Sequence, residues 1–297
     1  MGNFGVPWES RTFAFDQFQF PACAECNNSF SDMENRARAA MTKLLEDRTV
    51  EADEVALLLD WFDKLRIGVW VSELLLHGNP FEIRPKFRMA TRIGTTDRIL
   101  YIGRGSEHRQ GLNFVMFGDP VFMHSPSVAT FRINHLAFVS FSLHGTVGPN
   151  VGHRYVRLAG KMVTRELELG SMVPAQPVPR VPKWPATSPK LSLVAQAIVP
   201  ARLSSAEEAS IAQPPSEFTR SSVYIECRGA FYPVRRGAHQ VLPSYAHDDI
   251  SRLMRTAVSL HGRLRRYVVD RMPQAPEGDP YQEVFDKVRK AGQKWVP

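Results

Sequence analysis

Cysteine is scarce in this chain, and so is every long apolar run. Three cysteines among 297 residues cannot build a disulfide framework. That scarcity points to a reducing, intracellular compartment, with the cytoplasm as the expected location. No apolar stretch reaches the ~18 residues that a membrane span needs. The longest candidate, Val69 to Leu76, is broken by Ser72 and Glu73. Residues Met1 to Ser10 hold neither a basic n-region nor an apolar h-region, so a secretory signal is not expected. Several catalytic signatures are missing too. No Gly-x-Gly-x-x-Gly follows a strand, and there is no P-loop lysine pattern and no Gly-x-Ser-x-Gly elbow. Nucleotide cofactors and serine-hydrolase chemistry are therefore unsupported. The first histidine is His77. His124, His135, His144 and His153 have no carboxylate at ligand spacing and read as structural or surface residues.

What is present is enough apolar material for a sizeable core, with 43% hydrophobic and 23% charged residues. The net charge of +7 is uneven. From Arg220 to Pro297 there are 14 Lys/Arg against 8 Asp/Glu, or +6, and the first 219 residues carry 23 against 22, or +1. A basic block of this kind suits a polyanion, nucleic acid before membrane. A helix expected from about Asp248 to Arg271 places Arg252, Arg255, Arg263 and Arg266 within an arc of about 80°. Ile250, Leu253, Leu260 and Leu264 fall on the opposite side. Arginines so spaced can reach successive phosphates. A solvated amphipathic helix accounts for the same pattern.

Periodicity gives an α+β protein with a small antiparallel or mixed sheet. Ser31-Asp32-Met33-Glu34 is a capping-box sequence that should open a helix. A second helix is expected from about Ala52 to about Leu76, buried through Val55, Leu58, Leu59, Phe62, Leu65 and Val69. It also carries Asp60, Asp63, Lys64 and Arg66, which a surface ion pair between Asp60 and Lys64 at i,i+4 accounts for without a functional role. Strands are expected at Arg98 to Ile102, Asn113 to Phe117, Val128 to Ile133 and Leu136 to Leu143. Residues 171–216 contain nine prolines and read as a linker. The domains expected are thus 1–170, a linker at 171–216, and a basic module at 217–297. That module should hold a hairpin at Ser222 to Cys227 and Ala230 to Val234, then two helices.

The most informative motif is Cys23-x-x-Cys26-Asn27, entered from Pro21 and followed within five residues by Ser31. Cys-x2-Cys turns both sulfurs toward one point, and zinc requires four such donors. Taken alone, the pair is weak evidence, because redox pairs and packing give the same spacing. The run Pro21-Ala22-Cys23-Ala24-Glu25-Cys26-Asn27-Asn28-Ser29-Phe30-Ser31-Asp32-Met33-Glu34 resembles the C-terminal half of an HNH endonuclease motif, in the branch that ends in Cys-x2-Cys-Asn before a Ser-x-x-Glu helix. Leu59 to Gly68 resembles the long helix that follows it. The resemblance covers roughly residues 10 to 105.

The resemblance implies a treble-clef knuckle in which Cys23 and Cys26 are half of a structural zinc site. It also implies a role for Asn27 beside a catalytic divalent metal such as Mg, with DNA as the partner. Nothing in the chain matches the first Cys pair or the catalytic His of that family. Loss of a general base costs about 10²–10⁴ in rate. Three explanations stand open: a missing upstream half, a degenerate non-catalytic relative, or ligands supplied from elsewhere. The expected function is an HNH-type metal-dependent endonuclease-like protein acting on nucleic-acid phosphodiester bonds, truncated and inactive. Its alternative is a non-catalytic nucleic-acid-binding or protein-interaction protein on the same scaffold.

Overall fold

The computed structural model describes residues 24–76, 89–91, 93–94, 97–105, 110–116, 128–142, 147, 156–163, 166–174, 192–200, 218–227, 230–239 and 241. The fold is α+β. Its elements are α1 (Ala24–Asn28), α2 (Ser31–Leu45), β1 (Val50–Glu51), α3 (Ala52–Leu76), a 3-10 turn (Met89–Thr91), β2 (Arg98–Arg104), β3 (Leu112–Met116), β4 (Val128–Ile133), β5 (Leu136–Ser142), β6 (Val156–Val163), β7 (Glu166–Pro174), β8 (Ser192–Pro200), β9 (Phe218–Cys227), β10 (Ala230–Pro233) and β11 (Ala238–His239).

Helix α2 is amphipathic, with Ala37, Ala40, Met41 and Leu44 buried at i, i+3, i+4 and i+7. It starts at Ser31 as expected, but the capping box does not form. Phe30 occupies the cap position with no side-chain cap bond, and its carbonyl accepts from the Glu34 amide at 2.9 Å. The Glu34 carboxylate instead takes Lys64 Nζ from α3, and that ammonium also lies 4.6 Å from the centre of the Phe30 ring. An ion pair between two helices has displaced the local cap. At its other end α2 closes through Asp47, whose φ is +60°. There the Asp47 amide donates to Leu44 and the Arg48 amide to Lys43, at 3.1 and 2.8 Å. Such a left-handed residue satisfies carbonyls that the last turn would leave bare.

Seven strands form one sheet in the order β10-β9-β8-β2-β5-β4-β3. Every neighbouring pair is antiparallel. Side chains alternate across it and build two cores. On one face Leu100, Ile102, Phe131, Phe138, Val194 and Val223 pack with Leu44, Leu58, Leu59 and Phe62 of α2 and α3. Phe62 lies 4.8 Å from Phe138 and 5.6 Å from Phe131, ring centre to ring centre. On the other face Ile99, Tyr101, Val139, Phe141, Leu193 and Ala195 gather with Val147. β6 and β7 form a separate hairpin. β1 and β11 pair over two residues and tie the α2–α3 connection to the segment after β10.

Two domain expectations change. Residues 192–200, inside the stretch read as a linker, are β8, a strand flanked by β9 and β2. Nine prolines made the whole stretch look structureless, yet none lies between Pro189 and Pro200. That proline-free run carries the apolar residues Leu193, Val194, Ala195, Ala197 and Ile198, all buried. The hairpin β9–β10 also belongs to the same sheet as β2–β5 rather than to a detached module. The helices expected after residue 248 lie outside the described residues.

Candidate functional site

Cys26 is half-buried and Asn27 exposed, both within the five-residue α1. The Ser29 hydroxyl donates to the Cys26 carbonyl at 2.7 Å. Cys23, Arg252, Arg255, Arg263 and Arg266 lie outside the described residues. Among the described residues no group of three or more His, Cys, Asp or Glu side chains is placed to hold a metal ion. Of Cys23, Cys26 and Asn27, only Cys26 and Asn27 belong to those residues.

The densest polar constellation lies elsewhere, between α3 and the sheet. It is a buried charge network that the sequence reading only touched. Register creates it. Arg98 stands opposite Ser142 on one side and Gln196 on the other. It shares the pleat direction of Leu100 and Ile102, so it points at α3. Its guanidinium is 1% exposed and reaches Asp60 Oδ1 through Nη1 and Gln196 Oε1 through Nη2. Asp63 Oδ2 lies 3.6 Å from the same Nη1.

Asp63, one turn after Asp60 on α3, is 2% exposed. Its Oδ1 accepts from Arg66 Nη2 and its Oδ2 from the Gly94 amide at 3.0 Å. Gly94 has φ +68°, a left-handed conformation that turns its amide toward the carboxylate. Arg66 is itself 1% exposed. Burial pushes the Arg66 guanidinium below its usual pKa; Asp63 raises it, and Arg98 lowers it further. Nε and Nη1 of Arg66 and Nε of Arg98 are buried and meet no hydrogen-bond partner among the described residues.

A strand irregularity brings in the outermost member. β8 and β9 pair Gln196 with Val223 but Ile198 with Arg220, so β9 carries one extra residue there. A bulge of this kind reverses which face the following side chains occupy. Arg220 thereby joins Val223 on the helix face. Its Nη1 donates to both Asp60 oxygens at 2.9 Å, and Nη2 reaches the Ile93 carbonyl at 3.5 Å. Beside it Asp97 braces the start of β2. Its carboxylate accepts from the Val147 amide at 2.7 Å and the Ile198 amide at 2.8 Å, and its carbonyl accepts from Ser142 Oγ at 2.7 Å.

The expected Asp60–Lys64 surface pair is not the partnering observed. Lys64 goes to Glu34 and Asp60 to Arg98 and Arg220. Arg98, Gln196, Arg220 and Asp97 were not singled out from the sequence. Asp63 and Arg66, grouped with that expected surface pair, are instead buried, because they follow Leu59 and Phe62 at i+4 along the buried stripe of α3.

No family model, no curated protein and no solved structure matches this chain.

Proposed function

We propose that this chain binds nucleic acid, DNA in the first instance, through its basic C-terminal quarter and does not cleave it unaided. The observation that carries this reading is the charge distribution, with +6 of the +7 after residue 219. Arg235 and Arg236, which follow β10, are exposed and add two cations to the basic quarter. Arg220 is paired with Asp60 and is left out of that surface. The HNH-like segment supplies a scaffold here. Its proposed zinc contribution is Cys23 and Cys26, with two further ligands required, and the general base of the motif has no counterpart in the sequence.

A second reading, a metal-dependent HNH-type endonuclease, is favoured by the Cys23-x2-Cys26-Asn27 run and by the start of α2 at Ser31. One experiment separates the two. Duplex DNA is titrated against the full chain at several salt concentrations, with and without Mg²⁺. The same is done with Arg252, Arg255, Arg263 and Arg266 changed to Glu. The binding reading expects no cleavage and strong salt dependence, with the slope of log K on log salt reduced by about 3 to 4 in the variant. Unchanged binding by the variant removes the arginine stripe from the reading. Mg²⁺-dependent cleavage that Asn27→Ala abolishes establishes the second reading instead.

A further inference from the structure

We propose that Arg66 and Arg98 enclose a binding site for one small oxyanion, of the phosphate, sulfate or carboxylate class.

Three guanidinium nitrogens carry the argument. Arg66 Nε, Arg66 Nη1 and Arg98 Nε all bear hydrogen, are buried, and have no acceptor among the described residues. A buried N–H without an acceptor costs about 1–3 kcal/mol, more where the group is charged. An arginine cannot escape that cost by losing its proton. The charge count points the same way. Arg66, Arg98 and Arg220 face Asp60 and Asp63, and Asp60 is shared between Arg98 and Arg220. Among the described residues the two enclosed arginines thus have less than two full counter-charges. A neutral acceptor would satisfy hydrogen bonds and leave the charge; an oxyanion satisfies both.

The geometry is preorganised for such a guest. Asp63 holds both guanidinium groups, one on each oxygen, and is itself fixed by the Gly94 amide. Arg98 is further fixed by Gln196 and Asp60. Arg98 is thus held by three side chains and Arg66 by Asp63 through Nη2, which leaves the remaining donors free for a guest. With both side chains 1% exposed, a phosphate carried on a polymer has no approach. The ligand is a free ion or a very small molecule.

The test uses the full chain in a HEPES and sodium chloride buffer at fixed ionic strength. Inorganic phosphate, sulfate or acetate replaces chloride over about 0.1 to 20 mM while the Tm is followed. The Tm of the wild type should rise by a few degrees with at least one of the three and level off in the low millimolar range. Arg66→Gln should lack the plateau and keep only the gradual, unsaturable stabilisation that excluded salts give any protein. Should Arg66→Gln fail to fold, phosphorus NMR of the wild type decides. A phosphate line shifted or broadened by protein and restored by excess sulfate supports the site. No saturable rise with any of the three anions, together with an unperturbed phosphate line, overturns it.

Discussion

Replacing Asp63 with alanine strikes the network at the residue on which most of it converges. Its carboxylate accepts from Arg66 Nη2 and the Gly94 amide and lies 3.6 Å from Arg98 Nη1. Without it, Arg66 retains no acceptor among the described residues, and its guanidinium stays enclosed. Removing one partner of a buried pair costs about 3–5 kcal/mol, because the survivor is an uncompensated charge. The Gly94 amide would add about 1–3 kcal/mol if fully orphaned, but the two costs overlap as the site relaxes. The expected loss is therefore about 4 kcal/mol.

Arg66→Met should behave differently. It removes a desolvated cation and leaves Asp63 with Arg98 and Gly94, so it should change stability by about 1 kcal/mol or less. The double variant Asp63→Leu with Arg66→Met should recover at least half of the loss. Urea unfolding followed by tryptophan fluorescence measures all three. With a slope of roughly 2–3 kcal/mol/M, the Asp63→Ala midpoint should fall by about 1.5 M. A loss under about 1 kcal/mol, the value of an exposed ion pair, would refute the reasoning. So would a double variant no more stable than Asp63→Ala.

Three further expectations rest on neighbouring residues. Asp97→Asn keeps one acceptor oxygen where two amides, Val147 and Ile198, now donate; a loss of about 1–3 kcal/mol is expected by the same urea assay. Gly94→Ala places a Cβ 2.5 Å from Arg220 Nη2 at a backbone φ of +68°. It should cost about 1–3 kcal/mol, and adding Arg220→Ala should return only the steric part. Arg220→Ala alone should cost under about 1 kcal/mol by thermal unfolding, because the side chain is 43% exposed and its pair with Asp60 is screened.

Local pattern made much of this fold legible. α3 runs Ala52–Leu76 and β4 Val128–Ile133, the bounds expected from hydrophobic spacing, because long helices and alternating strands write their period directly into the chain. β8 escaped notice because proline density was averaged over a span that includes an apolar strand free of proline. The charge network escaped for a different reason. Asp60 and Lys64 are four apart on a helix, and local spacing cannot tell a mutual pair from two residues with partners in other elements. Arg98 and Gln196 meet only through strand register, and Arg220 reaches Asp60 only because of a bulge. The oxyanion donors depend on those long-range placements, so nothing in the linear order of residues marks them.

The position of β8 bears on how this molecule is made. Its partner β2 is paired across a loop of nearly a hundred residues, Arg98 with Gln196, while β3, β4 and β5 are close in sequence. During synthesis the four-stranded portion can assemble early and present β2 as an unprotected border until β8 emerges. All but the last residue of β2 are buried in the finished protein, so that border leaves Ile99, Leu100, Tyr101 and Ile102 uncovered and open to pairing with other chains. Slow closure is inherent in such distant pairing. Expression at reduced temperature or with chaperone support should therefore raise the soluble yield more than any change confined to α2 or α3.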